Sequence, residues 1–231
     1  MAYAMDFSPL IQQLDRIAGG ALLTLELSFT AIAIGTLIGT AGAIAATYGR
    51  PWVQRAVAVY VESIRNTPFL VQLFLIFFGL PSVGLQIDAL SAALLAMSVN
   101  LGAYATEIIR SGVQAIHRTQ LEAASALAMT RWQTIRHVVL VPAFEKVYPA
   151  LASQFTLMML TSSVVSTISV EELTSVASQI DSLTFRTFET YILVMAIYVG
   201  LALLLRAVFF GIGLAVFKRR RRIEFFAGAA R

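Results

Sequence analysis

Residues 118–142, RTQLEAASALAMTRWQTIRHVVLVP, decide the fold of this chain. They lie between two long apolar segments, yet they are too polar to cross a bilayer, where a central Arg or Asp costs about 2.5–3.5 kcal/mol. Two capping-box patterns occur here, one pairing Thr119 with Glu122 and one pairing Thr130 with Gln133. They predict a short helix over about residues 120–128 and a second helix after Thr130. We therefore expect an ordered helical element on one face of a membrane.

The composition is that of an integral membrane protein. Of 231 residues, 58% are hydrophobic and only 13% are charged, with a mean hydropathy of +0.78. Soluble domains are about 45–50% apolar and about 25% charged. The absence of cysteine excludes disulfides and Cys-ligated metal sites, and two histidines argue against a His-rich metal site. The basic run at 218–222 indicates a membrane anchor and not a nucleic-acid surface.

The apolar runs predict an all-α fold with five transmembrane helices, over about residues 20–48, 53–80, 89–116, 143–168 and 188–217. This gives one transmembrane domain over 20–217, an outer segment over 1–19 and a basic tail over 218–231. Thr67 and Pro68 predict a kinked or restarted helix in the second span, with Thr67 as N-cap. Ser169 and Glu172 form a third capping-box pattern, which predicts a short helix before the fifth span.

The orientation follows from the basic residues, which concentrate on the cytoplasmic side of membrane proteins. The loops on one side carry Arg50, Arg55, Arg118, Arg131, Arg136, Lys146 and the run at 218–222. The loops on the other side are mainly acidic. We therefore expect the N-terminus outside, and residues 118–142 and the C-terminus in the cytoplasm.

Three motifs carry a family resemblance. GluAlaAla at 122–124, Ala126-Leu127 and the residues at 132–140 resemble the EAA loop of bacterial ABC-importer permeases, most closely the polar amino acid uptake family. ESIRNTP at 62–68, followed by FLVQLF, and AYATEIIRSG at 103–112 also resemble that family. The likeness covers roughly residues 21–222, with the motifs in family order. The chain departs from the family at Thr119 and Ala128, where glycine is usual, so the turns should rest on capping, and at Leu160, where lysine is frequent.

The resemblance implies a type I ABC importer (MetI-like) permease fold in the bacterial inner membrane, with a cytoplasmic coupling helix between spans 3 and 4. No Gly-x4-Gly-Lys-Ser/Thr phosphate loop occurs, so we expect no cofactor on this chain and no catalytic residue. ATP and Mg would be held by a dimer of a separate ATP-binding subunit. The other implied partners are a second permease, identical or similar, a substrate-binding protein and membrane lipid.

The coupling residues expected from this resemblance are Leu121, Glu122, Ala123, Ala124 and Leu127. Leu121, Ala124 and Leu127 recur every third residue and form a small apolar face. That face would fit a groove of the ATPase, or it would pack on its own helix bundle. Glu122 would close the capping box and also reach a basic residue of the partner.

Polar residues within spans are candidates for the substrate path. Asn100, Tyr104 and Glu107 share one helical face, and Arg206 lies inside the fifth span. The fourth span adds the hydroxyls of Thr161, Ser162, Ser163 and Ser166. These groups would line a cavity for a zwitterionic amino acid. Alternatively, Glu107 pairs with Arg110, the hydroxyls bond to their own helix, and Arg206 pairs with an acid or reaches toward the cytoplasm.

Glu62, Arg65, Thr67 and Pro68 are expected at a gate or an inter-subunit contact, unless Glu62 simply pairs with Arg65. These pairings bear on substrate charge. If Glu107 and Arg110 pair, an acidic or neutral polar amino acid is favoured, which is the interpretation we adopt. If Glu107 is free, a basic amino acid is favoured. The alternative function is a secondary transporter or channel not coupled to ATP.

Overall fold

The computed structural model describes residues 5–217, and these form helices joined by short loops. The predicted basic tail over 218–231 lies outside the described residues. The helices are α1 (Ser8–Ile11), α2 (Leu14–Tyr48), α3 (Pro51–Arg65), α4 (Phe69–Ser82), α5 (Ala89–Gln114), α6 (Arg118–Ala126), α7 (Arg131–Gln133), a π-helix (Thr134–Leu140), α8 (Val141–Thr161), a 3₁₀-helix (Ser162–Ile168), α9 (Leu173–Thr184) and α10 (Thr187–Val216).

The described residues contain four candidate membrane spans, and five, the predicted number, when one bent helix pair is counted as a span. Four are continuous by length and hydropathy: Leu14–Tyr48, Ala89–Gln114, Arg131–Ile168 and Thr187–Val216. The fifth is the pair α3 and α4, whose axes differ by 107° at the break between them. The first span begins at Leu14, several residues before the expected position 20, because the amphipathic start of α2 continues the same helix.

The core is built around α5, which is covered on one side by α2 and on the other by α4 and α8. Glycines in α2 allow the backbones of α2 and α5 to approach each other closely. A Cβ added at Gly35 would lie 2.9 Å from Leu101 Cβ, and one added at Gly39 would overlap Ala105. The small-residue face of α2 therefore packs within the subunit, against α5.

The break in the second span lies at Thr67 and Pro68, as predicted, but its capping differs. The Thr67 hydroxyl donates to Ser63 O at 2.8 Å and so closes the last turn of α3. Pro68 is the N-cap of α4, and no side chain caps that end. The prediction of Thr67 as N-cap is therefore wrong, because its hydroxyl satisfies a carbonyl of the preceding helix.

Of the two capping boxes predicted in residues 118–133, one forms and one does not. Thr130 and Gln133 form the expected box, with Thr130 N–H donating to Gln133 Oε1 at 2.8 Å. The box between Thr119 and Glu122 is wrong, because α6 begins two residues earlier than expected, at Arg118 with His117 as its N-cap, and Thr119 lies inside it. Glu122 instead contacts Arg118, with Nε and Oε1 3.2 Å apart.

The second helix of this stretch is not separate from the fourth span. From Arg131 the chain runs without interruption through the π-helix into α8, so the fourth span begins well before the expected position 143.

The link between the fourth span and α9 also differs from expectation. Ser169 is not the N-cap of α9: it has a φ of +66° and caps the end of the 3₁₀-helix, with its N–H donating to Ser166 O at 3.0 Å. The N-cap of α9 is Glu172, which accepts from Ser175 N–H at 2.9 Å.

Candidate functional site

A cavity of about 670 Å³ between α2, α3 and α5 has five charged residues in its lining. Its charged lining residues are Arg55, Glu62, Arg65, Glu107 and Arg110. The sequence analysis selected Glu62, Arg65 and Glu107 from two different spans and gave Arg110 as the alternative partner of Glu107. The fold brings them together because α3 returns along α2 and packs against the second half of α5.

Within this cavity Glu107 and Arg110 form a bidentate pair. Arg110 Nη2 lies 2.6 Å from Glu107 Oε1, and Arg110 Nε lies 3.2 Å from Glu107 Oε2. The two residues are one helical turn apart on α5, and each side chain is about one-third exposed (34% and 35%). Glu107 is therefore not a free carboxylate. Of the two alternatives, the paired one is present, and it is the one that favours an acidic or neutral polar substrate.

Glu62 and Arg65 do not pair with each other. The Arg65 guanidinium lies instead over the ring of Tyr104, 5.6 Å from its centroid, in a cation–π contact. Both charged side chains are exposed, and no ion pair of Glu62 occurs among residues 5–217. Glu62, Arg65, Thr67 and Pro68 thus lie together at the exposed break between α3 and α4.

Asn100 is 6% exposed and lies behind this break. Its Nδ2 donates to Gln72 Oε1 at 2.8 Å. Gln72 Nε2 in turn donates to Ile64 O at 2.7 Å and to Thr67 O at 3.0 Å. Asn100 is therefore joined to both halves of the broken span through Gln72. Sequence reasoning missed Gln72, although an amide inside the apolar run FLVQLFLIFF was the signal for it.

The hydroxyl residues of the fourth span bond within their own helix. Thr161 donates to Leu157 O at 2.9 Å, four residues back, as in an α-helix. The following donors lie in the 3₁₀-helix and reach three residues back: Ser162 to Met159 O at 2.6 Å, Ser163 to Leu160 O at 2.9 Å and Ser166 to Ser163 O at 2.7 Å. Their free lone pairs remain as acceptors.

Arg206 lies apart from these residues. It lines a second cavity of about 450 Å³ between α8 and α10, together with Tyr148, Ser153 and Thr156. Of the predicted path residues, Glu107 lines the first cavity and Arg206 the second, whereas Asn100 and Tyr104 line neither of them. The four hydroxyl residues lie at the end of α8 and in the 3₁₀-helix.

The candidate coupling helix α6 has one buried side and one exposed side. Ala124 is 2% exposed and Leu121 packs against the core, whereas Leu127 is 77% exposed. Glu122 and Ala123 are also exposed. The predicted apolar face is thus divided: Leu121 and Ala124 fix the helix to the bundle, and Leu127, Glu122 and Ala123 are available to a partner.

The end of α6 is a Schellman motif. Met129 N–H donates to Ala124 O at 3.1 Å, and Ala128 N–H donates to Ser125 O at 3.0 Å. Ala128 has a φ of +53°, the left-handed conformation that glycine adopts most easily. The turn thus rests on a backbone C-cap in which alanine, and not glycine, occupies the left-handed position.

Groups of His, Cys, Asp and Glu that could hold a metal ion do not occur within residues 5–217.

Comparison with known proteins gives consistent matches over most of the chain. A family described as "Binding-protein-dependent transport system inner membrane component" matches residues 19–223. The glutamine transport system permease protein GlnP of Escherichia coli (strain K12) is 36% identical over 203 residues, which cover 87% of this chain and 92% of GlnP. The arginine transport system permease protein ArtQ of Bacillus subtilis (strain 168) is 33% identical over 204 residues, with the same coverage of 87% and 92%.

A solved structure described as an amino acid ABC transporter with histidines superposes with a TM-score of 0.82. It is 36% identical in sequence, and the match covers 94% of this chain and all of the other.

Proposed function

This chain belongs to the family of binding-protein-dependent transport system inner membrane components, and on that premise we propose which residues carry the substrate and which engage the ATPase. The chain is the permease subunit of an ATP-driven amino acid importer, with a type I ABC importer fold, and lies in the inner membrane. It is not itself an enzyme. Its partners include a separate ATPase and a substrate-binding protein.

The substrate path includes the cavity at α3 and α5. The observation that carries this proposal is the convergence of five charged residues in a space of about 670 Å³, a typical size for a small-ligand site. Glu62 is well suited to the substrate ammonium and Arg65 to its carboxylate. Tyr104 positions Arg65, and Asn100 acts through Gln72 to hold the break where Thr67 and Pro68 form the gate.

The fourth span provides the next part of the path. Thr161, Ser163 and Ser166 use their protons within the helix, so they offer only oxygen lone pairs to a substrate. Ser162 uses its proton in the same way but is fully buried. Such acceptors suit an ammonium or an amide N–H group. Arg206 lies in the other cavity, between α8 and α10.

We propose a neutral polar or acidic amino acid as the substrate. The Glu107–Arg110 pair supports this, because it neutralises the carboxylate that would otherwise attract a basic side chain. The similarity to GlnP, a glutamine permease, agrees with a neutral polar substrate, although ArtQ is an arginine permease. The test is competition among glutamine, glutamate and arginine for uptake by the reconstituted complex. Preference for arginine would overturn this proposal and would place Glu107 in the substrate site.

Coupling to the ATPase is proposed to occur through α6. A dimer of the ATP-binding subunit would hold ATP and Mg and receive the exposed side of α6, with Glu122 and Leu127 in its groove. A second permease, identical or similar, would complete the path. The distribution of basic residues supports an N-terminus outside and a cytoplasmic C-terminus. Co-purification of the ATPase with the wild type, and its loss with Glu122→Arg, would test the docking.

A further inference from the structure

The fourth span begins with a short α-helix, α7, and then a π-helix over Thr134–Leu140. In a π-helix each carbonyl accepts from the amide five residues further on, whereas in an α-helix the partner is four residues away. Such segments are rare, and they are frequent at functional sites. This one interrupts α-helical bonding near the start of the span Arg131–Ile168, at the end that follows α6.

Pro142 accounts for the wide turn. It is the second residue of α8, and the π-helix ends at Leu140, two residues before it. In a helix with α-helical bonds throughout, the amide of residue 142 would pair with Val138 O. Proline has no N–H, and its ring would meet that carbonyl. The π-helix therefore occupies the place where α-helical bonding fails, and an amide at position 142 would favour a continuous α-helix.

The π-helix joins two elements that are each held firmly. On its amino side, Thr130 and Gln133 cap α7, and the Thr134 hydroxyl donates to Thr130 O at 3.1 Å. On its carboxyl side α8 is fixed in the core, where Ala143 is 0% and Leu151 is 1% exposed. A change in angle between α6 and the fourth span must therefore be absorbed by the residues between these two elements.

The contacts within the π-helix suit a joint that pivots at one end. Val139 is 1% exposed and belongs to the hydrophobic core, and Leu140 packs against that core. The earlier residues of the π-helix contact α6 and α7 through the segment's packing on both helices. The carboxyl end is thus anchored to the bundle, while the amino end follows α6.

We propose that residues 134–140 are the hinge through which movement of α6 changes the angle of the fourth span, and that Pro142 is the positioning residue that keeps this hinge π-helical. The inference rests on the proposed docking of α6 to the ATPase. When α6 moves, the carbonyls of the hinge exchange partners between the fourth and the fifth following amide. The hinge then bends while Val139 stays in the core and α8 keeps its packing.

The experiment measures amino acids taken up per ATP hydrolysed by the reconstituted importer complex. Two variants stiffen the hinge. Deletion of His137 removes one residue from the wide turn, so residues 131–161 can form a continuous α-helix with both ends in their present register. Pro142→Ala restores the missing amide. The matched controls are His137→Ala, which keeps the chain length, and Pro149→Ala, the same substitution at the proline inside α8.

Both stiffened variants should still co-purify with the ATPase. We expect their uptake per ATP to fall at least about fivefold, the lower end of the range for coupling between two sites. Both controls should stay near the wild type. Full coupling in both stiffened variants would overturn the proposal. If the deletion prevents assembly, Pro142→Ala decides.

Amide hydrogen exchange of residues 134–140 in the same complexes measures the hinge itself. Exchange should be faster in the wild type and in Pro149→Ala than in Pro142→Ala, because a segment that opens locally exchanges faster. Equal exchange in the wild type and Pro142→Ala would also overturn the proposal, since the proline would then not maintain the wide turn.

Measuring Glu122→Arg in parallel separates this proposal from the docking of α6. Lost coupling in Glu122→Arg with full coupling in Pro142→Ala would reject the hinge and leave the docking intact. Full coupling in Glu122→Arg would reject the docking, and with it the role of the hinge in coupling, whatever the exchange rates of residues 134–140.

Discussion

Gln72 and Asn100 join the broken second span to the central helix. Asn100 Nδ2 donates to Gln72 Oε1 at 2.8 Å, and Gln72 Nε2 donates back to Ile64 O and Thr67 O on the other side of the break. The interruption at Thr67 and Pro68 removes helical N–H partners from carbonyls at the end of α3 and in the break, and Gln72 donates to one of each, Ile64 O and Thr67 O. The 107° bend is thus fixed by an amide from the helix that follows it.

The Gln72–Asn100 contact predicts coupled effects on stability. Asn100→Leu and Gln72→Leu should each lower the melting temperature in detergent, Gln72→Leu more strongly because it also removes the donor to Ile64 O and Thr67 O. The double variant should be more stable than the sum of the two losses predicts. Coupling energies of such contacts between membrane helices average about 0.6 kcal/mol and reach about 1.7 kcal/mol. Strict additivity would show that the contact does not form.

The cation–π contact predicts a role for the Tyr104 ring in transport. Tyr104→Phe keeps the ring under Arg65 and should retain uptake, whereas Tyr104→Leu removes the ring and should raise the KM for the substrate. Exposed contacts of this kind are worth about 0.5–1 kcal/mol, which corresponds to a change of roughly two- to fivefold. Uptake kinetics of the two variants at equal expression provide the comparison. An identical KM in both would mean that Arg65 is held by other groups.

The left-handed residue at the end of α6 predicts a stabilising substitution. Ala128 has a φ of +53°, where an L-residue with a Cβ is strained by about 1–2 kcal/mol. Ala128→Gly removes that strain but makes the unfolded chain more flexible, so the net gain should be below about 1 kcal/mol. The melting temperature should rise slightly. Ala123→Gly, in the middle of the same helix, is the control and should lower it.

The buried carboxyl of Glu172 predicts a pH dependence. Glu172 is 0% exposed at the start of α9, and burial raises its pKa above the usual 4.5 despite the hydrogen bonds that it accepts from Ser175 N–H and the Tyr198 hydroxyl. A carboxyl with a raised folded-state pKa favours folding most when it is protonated. Its contribution is complete below the unfolded-state pKa and is lost as pH rises through the folded-state pKa.

The melting temperature of the wild type should therefore fall as pH rises above about 4.5, relative to Glu172→Gln. The glutamine oxygen still accepts from Ser175 N–H, so this variant keeps the cap while losing the titration. A parallel pH profile in both proteins would show that Glu172 does not contribute.

Local sequence patterns predicted the elements better than their contacts. Pro68 identified the break in the second span, and Thr130 with Gln133 identified a true capping box. The same pattern failed at Thr119 with Glu122, because a polar pair three residues apart also occurs inside helices. In the structure the N-cap of α6 is His117, whose extended ψ of 139° marks where the helix begins.

The cavity could be predicted only in part. Glu107 and Arg110 are one turn apart, so their pairing was visible in the sequence. The approach of Arg65 to Tyr104, and of Gln72 to Asn100, depends on how α3 and α4 fold back on α5. Tertiary packing of that kind has no local pattern. Likewise, periodicity placed Leu121, Ala124 and Leu127 on one face, but only the docked position of α6 separates the buried residues from the exposed one.

The central claim, that α6 transmits ATP hydrolysis to the permease, is tested most directly by the number of amino acids taken up per ATP hydrolysed. The measurement compares Glu122→Arg with Arg118→Gln in the reconstituted complex. Both variants break the exposed ion pair between Arg118 and Glu122, which contributes little to stability. Only Glu122→Arg reverses the charge presented to the ATPase. We predict near-normal coupling for Arg118→Gln and lost coupling for Glu122→Arg. Equal, full coupling in both would contradict the account.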